Sequence, residues 1–72
     1  MEHIGMPIYK HTRTGGEYVY IGEAQYKNAN LGVWLPVIVY QSMDTQELYV
    51  RGTKDFYEFF ERANWSFNYW SI

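Results

Sequence analysis

The chain contains no cysteine, two prolines, two histidines, and six lysines and arginines against eight acidic residues. Without cysteine it can form neither a disulfide staple nor a thiolate metal site, and two histidines lacking helical or hairpin ligand spacing do not make a zinc centre. A formal charge of −2 with six cations excludes a broad surface for long nucleic acid, whose affinity comes from neutralising many phosphates. One or two phosphates on a small ligand stay within reach. No stretch approaches the ~20 apolar residues of a membrane span. Met1-Glu2-His3-Ile4 has neither the basic start nor the apolar run of a signal peptide, and His3 in this segment carries no argument. These absences lead to the expectation of a soluble, cytoplasmic protein with no membrane partner, no metal and no cofactor.

What the chain has instead is aromatic side chains: eight Tyr, four Phe and three Trp among 72 residues. A chain of this size forms one domain, here residues 1–72, and buries only about 60% of the surface its unfolded form exposes. Stability therefore has to come from aromatic burial or from association with another copy, so a homo-oligomer is expected. Tyrosine joins a large apolar body to a hydroxyl that needs a partner, so tyrosines in excess of the core form a binding surface.

Short alternating segments dominate the first fifty residues. Ile8-Tyr9-Lys10-His11 reads as a first strand, Thr12 to Glu17 with Gly15-Gly16 as a turn, and Tyr18 to Ala24 as a second strand. In that second strand Val19 and Ile21 share one face and Tyr18 and Tyr20 the other. Gln25 to Leu35, with Asn28, Asn30 and Gly32, reads as the longest loop and carries Lys27 and Trp34. Pro36 to Gln41 is nearly all apolar and is expected to be the most buried strand, with Pro36 at its start. Met43 to Gln46 turns the chain into Leu48-Tyr49-Val50-Arg51, which Gly52 ends. The period then changes: Phe56, Phe59 and Phe60 mark one helical face, with Thr53 or Asp55 as N-cap and Asn64 as the end. Trp65 to Tyr69 alternates again. The expected fold class is mainly β, a small, strongly bent antiparallel sheet or partly open barrel with one short helix and an aromatic C-terminal strand at about 65–72. No repeat or linker divides the chain.

Tyr9-Lys10-His11 before a Gly-containing turn, Tyr18-Val19-Tyr20-Ile21-Gly22 with Ala24, Val37 to Gln41, and Leu48-Tyr49-Val50-Arg51 leading to Phe56 and Phe59-Phe60-Glu61 stand in this order and spacing. In these segments, roughly residues 8 to 61, the chain resembles the bacterial and phage family known as domain of unknown function 1653. That resemblance implies an SH3-like small barrel. Gly52 replaces the proline usual after the Val-Arg pair, the Lys27–Leu35 loop is longer, and the segment from Trp65 to Ile72 is an addition. The family's activity is undefined, so function rests on the residues themselves.

His11, beside Lys10 and Arg13, can exchange a proton or contact an anion; the alternative is a hydrogen-bonded strand-end histidine that orients the turn. No Ser or Cys lies in a nucleophile motif, and the carboxylates Glu17, Glu23 and Glu47 form no catalytic pair, so no enzyme is expected. The Gly15-Gly16 turn lacks the strand-to-helix context of a phosphate loop. Arg51 projects to the side of Tyr49, where a guanidinium beside phenol rings can hold a carboxylate or phosphate, or else pairs with an acidic neighbour. Tyr18, Tyr20 and Tyr49 are expected at the surface, Tyr40 partly buried, and Phe56, Phe59 and Phe60 in the core. Candidate ligand-binding residues are thus Tyr49, Arg51, Tyr18, Tyr20, His11, Arg13 and Trp34. Trp65, Phe67, Tyr69 and Trp70 exceed what the small core absorbs and are expected at an oligomer interface, or else capping their own barrel.

The leading functional reading is a non-catalytic module that recognises or sequesters a small, anionic, nucleotide-like aromatic ligand. The family resemblance adds a phage origin, under which the protein counters host nucleotide signalling in the host cytoplasm. The alternative is a protein-protein interaction module that uses the aromatic groove of an SH3-like barrel.

Overall fold

The computed structural model describes the backbone of residues 2–71 and the side chains of residues 6–63. The chain runs through β1 (Glu2–His11), β2 (Glu17–Asn28), β3 (Val33–Ser42), β4 (Leu48–Gly52), α1 (Thr53–Phe59) and β5 (Phe60–Ser71). The strands form one open antiparallel sheet in the order β4-β3-β2-β1-β5, and the short helix links the two edges. It is a mainly β fold built on a bent sheet that does not close into a barrel.

The bend has two identifiable causes. Between Tyr20 and Gly22 the register against β3 slips, leaving Ile21 as an extra residue in β2. Between Pro7 and Tyr9, β1 advances two residues while β5 runs from Arg62 to Ser66. Each bulge increases local twist and turns the strand away from its neighbour. As a result β1 pairs with β2 only over Ile8 to Lys10, and its earlier half pairs with β5 alone.

The register assigns each residue to a face. Tyr9 lies opposite Tyr18, Tyr20 opposite Tyr40, and Tyr40 opposite Tyr49, so these rings share the face on which α1 packs. Ile38 and Phe56 are fully buried there, with Tyr40 and Phe60 nearly so, and Tyr9, Tyr18, Tyr20 and Phe59 pack around them. Phe56 stacks on Phe60 with ring centroids 4.5 Å apart, and Phe60 lies 5.1 Å from the Tyr40 ring. Such aromatic pairs add about 0.5–1.5 kcal/mol each beyond simple burial.

Several sequence expectations are corrected. The helix is capped by Gly52 with no side-chain hydrogen bond, rather than by Thr53 or Asp55. It ends at Phe59, well before Asn64, because Phe60 turns extended to place its ring on the core while its N–H donates to the Phe56 carbonyl. The expected long loop is mostly strand: β2 continues to Asn28 and β3 begins at Val33, leaving a four-residue turn, Ala29 to Gly32. Gly32 at φ 70° and the Asn28 carboxamide, which accepts from the Leu31 N–H at 3.0 Å, close that turn. Pro36 therefore lies inside β3 rather than at its start. It is tolerated because β4 reaches only to Gly52, opposite Val37, so β3 has one open flank at Pro36.

Candidate functional site

The helix-covered face gathers five of the sequence-predicted ligand residues: His11, Tyr18, Tyr20, Tyr49 and Arg51. Arg51 reaches it from β4, opposite Ile38. Its Nε donates to the Tyr40 hydroxyl at 3.2 Å and its Nη1 meets the Asp55 carboxylate at 3.2 Å, one helical turn ahead. The guanidinium also lies 5.2 Å from the Phe60 ring centroid and 5.9 Å from that of Phe59. The hydrogen bond to Tyr40, reinforced by Asp55, raises the Arg51 pKa above its ordinary value. This cation already has a phenol, a carboxylate and two ring partners, so an anionic ligand must compete with Asp55 for it.

His11 ends β1 with its ring edge-on to Phe60 at 4.9 Å and parallel to Phe59 at 6.2 Å. Its Nδ1 accepts from the backbone N–H groups of Arg13 and Thr14 at 3.2 and 3.3 Å. The imidazole thereby organises the turn in which Gly15 adopts φ 78°. No hydroxyl nucleophile or carboxylate is bonded to it among the described residues, so the geometry offers no proton relay. Arg13 itself is exposed in the turn.

Tyr18 and Tyr20, expected at the surface, are half-buried in the core cluster, because the bent sheet folds their face under α1. Tyr49 keeps 40% exposure while stacking on Tyr40 at 5.7 Å, and its hydroxyl donates to Glu47 at 3.0 Å. That bond to a carboxylate raises the Tyr49 pKa. Trp34 does not join this group. It lies six residues from Tyr40 along β3, roughly 20 Å away, with 61% exposure and Lys27 Nζ 5.3 Å from its ring centroid. The side chains of Trp65, Phe67, Tyr69 and Trp70, like that of His3, lie outside the described residues. Their backbone continues β5 along the outer side of β1.

Among the described residues the most exposed apolar surface is elsewhere, mostly on residues that sequence reasoning did not single out. Beyond Val19 the β2–β3 pair loses β1 on one side, and beyond Val37 it loses β4 on the other. Gln25–Asn28 and Val33–Pro36 are left as a two-stranded arm. Tyr26, Val33 and Leu35 stand on the arm's face away from the helix, and Trp34 stands on the other; all four are exposed. The first of these faces continues onto the body through Val39, Val50 at 60% exposure and Leu48 at 65%. Between the Val19–Gln41–Leu48 row and the Asn28–Val33 row, no charged residue falls on it. Ile8, opposite Val19 on this same face, is fully buried, and Val19 and Val37 are buried as well. At one end Met6, Val19, Ile21, Gln41, Ser42 and Met43 line a cavity of about 200 Å³. The available signal was the alternation of Val33 and Leu35 on one side with Trp34 on the other, which the nearby Asn and Gly residues disguised as loop.

Among the described residues no helix is long and apolar enough to cross a membrane, and no group of three His, Asp or Glu side chains could hold a metal ion. No family model matches the chain, and no curated protein or solved structure does either.

Proposed function

We propose that this chain is a non-catalytic interaction module that docks on a protein surface through the β2–β3 arm and the apolar sheet face behind it. One observation carries the reading: a two-stranded ribbon with exposed apolar side chains on both faces, continuous with an uncharged sheet face. Single-layer ribbons are at best marginally stable in water, and burying one Val, Leu or Ile side chain is worth about 1.5–3 kcal/mol. Contiguous exposed apolar area of this kind marks interaction surfaces. Docking uses this face rather than the aromatic groove of an SH3-like barrel, since α1 occupies the ring-lined side. Membership of the domain of unknown function 1653 family and a phage origin remain part of this reading only through the residue resemblance.

A second reading, capture of a small nucleotide-like anion, is supported by Arg51 and half-exposed Tyr49, which share one face and flank Tyr40. The two readings separate in one pair of assays. Immobilised wild-type protein should retain a specific protein partner that the Leu35→Lys and Val50→Lys variants lose. A panel of mono-, di- and cyclic nucleotides should leave the wild-type melting temperature unchanged. If a nucleotide raises that temperature, and Arg51→Ala abolishes the shift while still folding, the ligand reading replaces the docking one.

A further inference from the structure

We infer that the cavity lined by Met6 and Met43 binds a small, uncharged, planar heteroaromatic molecule that presents a hydrogen-bond donor beside an acceptor, as a primary amide or lactam does. The inference goes beyond the docking reading and does not depend on it. At about 200 Å³ the cavity lies above the ~150 Å³ that admits benzene and below the ~300 Å³ at which drug-sized sites begin, which fits one ring or two fused rings. Met6, Met43, Val19 and Ile21 give it apolar walls, and thioethers make favourable contacts with aromatic rings. The bulge in β2 leaves Ile21 beside Gly22 opposite Val39, and at 48% exposure Ile21 stands at the mouth.

Three polar side chains line the same space with hydrogen-bonding capacity that the described residues do not use. Ser42 is only 8% exposed, and its Oγ accepts from the backbone N–H groups of Asp44 at 3.1 Å and Thr45 at 3.0 Å. Both lone pairs of the hydroxyl are thus engaged, and its proton is left for an acceptor in the cavity. Gln41 donates through Nε2 to the Gln46 carbonyl at 3.0 Å and keeps its Oε1 as an acceptor. The Gln46 carboxamide has no partner among the described residues. Gln46 also stands at φ 67°, the one left-handed residue other than glycine among those described, where hairpin turns use Gly or Asn. A turn alone does not ask for glutamine there, whereas a site that uses its carboxamide does. The turn is already fixed without a ligand: the Gln46 N–H donates to the Ser42 carbonyl at 2.9 Å and the Ser42 N–H to the Glu47 carbonyl at 3.0 Å. No charged residue lines the cavity, and the Ser42–Glu47 turn carries Asp44 and Glu47 and no cation, so a carboxylate or phosphate is disfavoured.

Titration of the full chain with nicotinamide and with 2-quinolone, followed through the Met6 and Met43 methyl resonances, tests the inference. Both probes are expected to shift both methyls saturably through their ring currents. Nicotinate, the same ring bearing a carboxylate, is expected to bind at least about tenfold more weakly. Ile21→Trp, at an exposed position, fills the cavity and is expected to abolish the shifts with far-ultraviolet circular dichroism unchanged. Gln46→Gly relieves the left-handed backbone, so the melting temperature should hold or rise while both probes weaken about tenfold. The inference is overturned if neither probe shifts the methyls saturably at millimolar concentration, if nicotinate binds as well as nicotinamide, or if either variant binds like wild type. None of these results bears on the docking reading, which partner retention decides through Leu35 and Val50.

Discussion

At the scale of single residues, Arg51 shows why a suggestive side chain need not be a ligand-binding one. Its Nε satisfies the Tyr40 hydroxyl, which is all but buried, while its pair with Asp55 is largely solvent-exposed. Arg51→Ala leaves that hydroxyl without its partner and should cost about 1–3 kcal/mol in urea unfolding. Asp55→Ala removes only the exposed ion pair and should cost less than about 1 kcal/mol. The same scale sets the alkaline limit. Burial, and then the neighbouring Tyr57, push the Tyr9 phenol up; a hydrogen bond with Tyr20 raises Tyr57, and Glu47 raises Tyr49. Each phenol then holds its proton more tightly folded than unfolded, so the unfolded chain ionises first as pH rises. Stability is therefore full below about pH 9 and falls as pH climbs through the unfolded value near 10 toward the raised folded values. Urea midpoints measured from about pH 8 to pH 11 should decline only in the upper part of that range, as the phenolate absorbance grows.

At the scale of elements, α1 holds the fold through one face. Phe56 is fully buried beneath the sheet rings, so Phe56→Ala should cost about 3–5 kcal/mol and leave the chain mostly unfolded by circular dichroism. Gly15 has open space around it but sits at φ 78°, so Gly15→Ala should cost about 1 kcal/mol through backbone strain alone. The strands and helix were legible because the period changes from two to that of a helix at Phe56, Phe59 and Phe60. Their limits were not. Phe60 obeys the helical spacing, yet its ring is placed by an extended backbone that starts β5, since the core accepts it from either conformation. In the same way, Asn28, Asn30 and Gly32 signal a turn but do not fix its length; cross-strand pairing of Tyr26 with Leu35 and Lys27 with Trp34 does. Alternation alone could not show the bulge at Ile21, which turns the strand and exposes the arm.

At the scale of the whole molecule, the excess of rings over core was legible from composition, but where the surplus surface lies was not. The helix absorbs Tyr18, Tyr20 and Tyr40 into one interior, and the open sheet leaves its aliphatic face, with Leu48, Val50 and Leu35, turned outward. That outcome depends on which face α1 covers and on where β1 and β4 stop, both set by long-range pairing. The account's central claim is that this outward face, and not the ring-lined one, is the recognition surface. Side-chain footprinting by carbene labelling, read residue by residue with and without the protein partner that the immobilised chain retains, tests it most directly. Labelling of Tyr26, Leu35 and Val50 should fall together when that partner is bound, while Trp34 stays labelled and Phe56 stays unlabelled throughout. Unchanged labelling of those three residues, with protection arising instead at Trp34 or Tyr49, would contradict it.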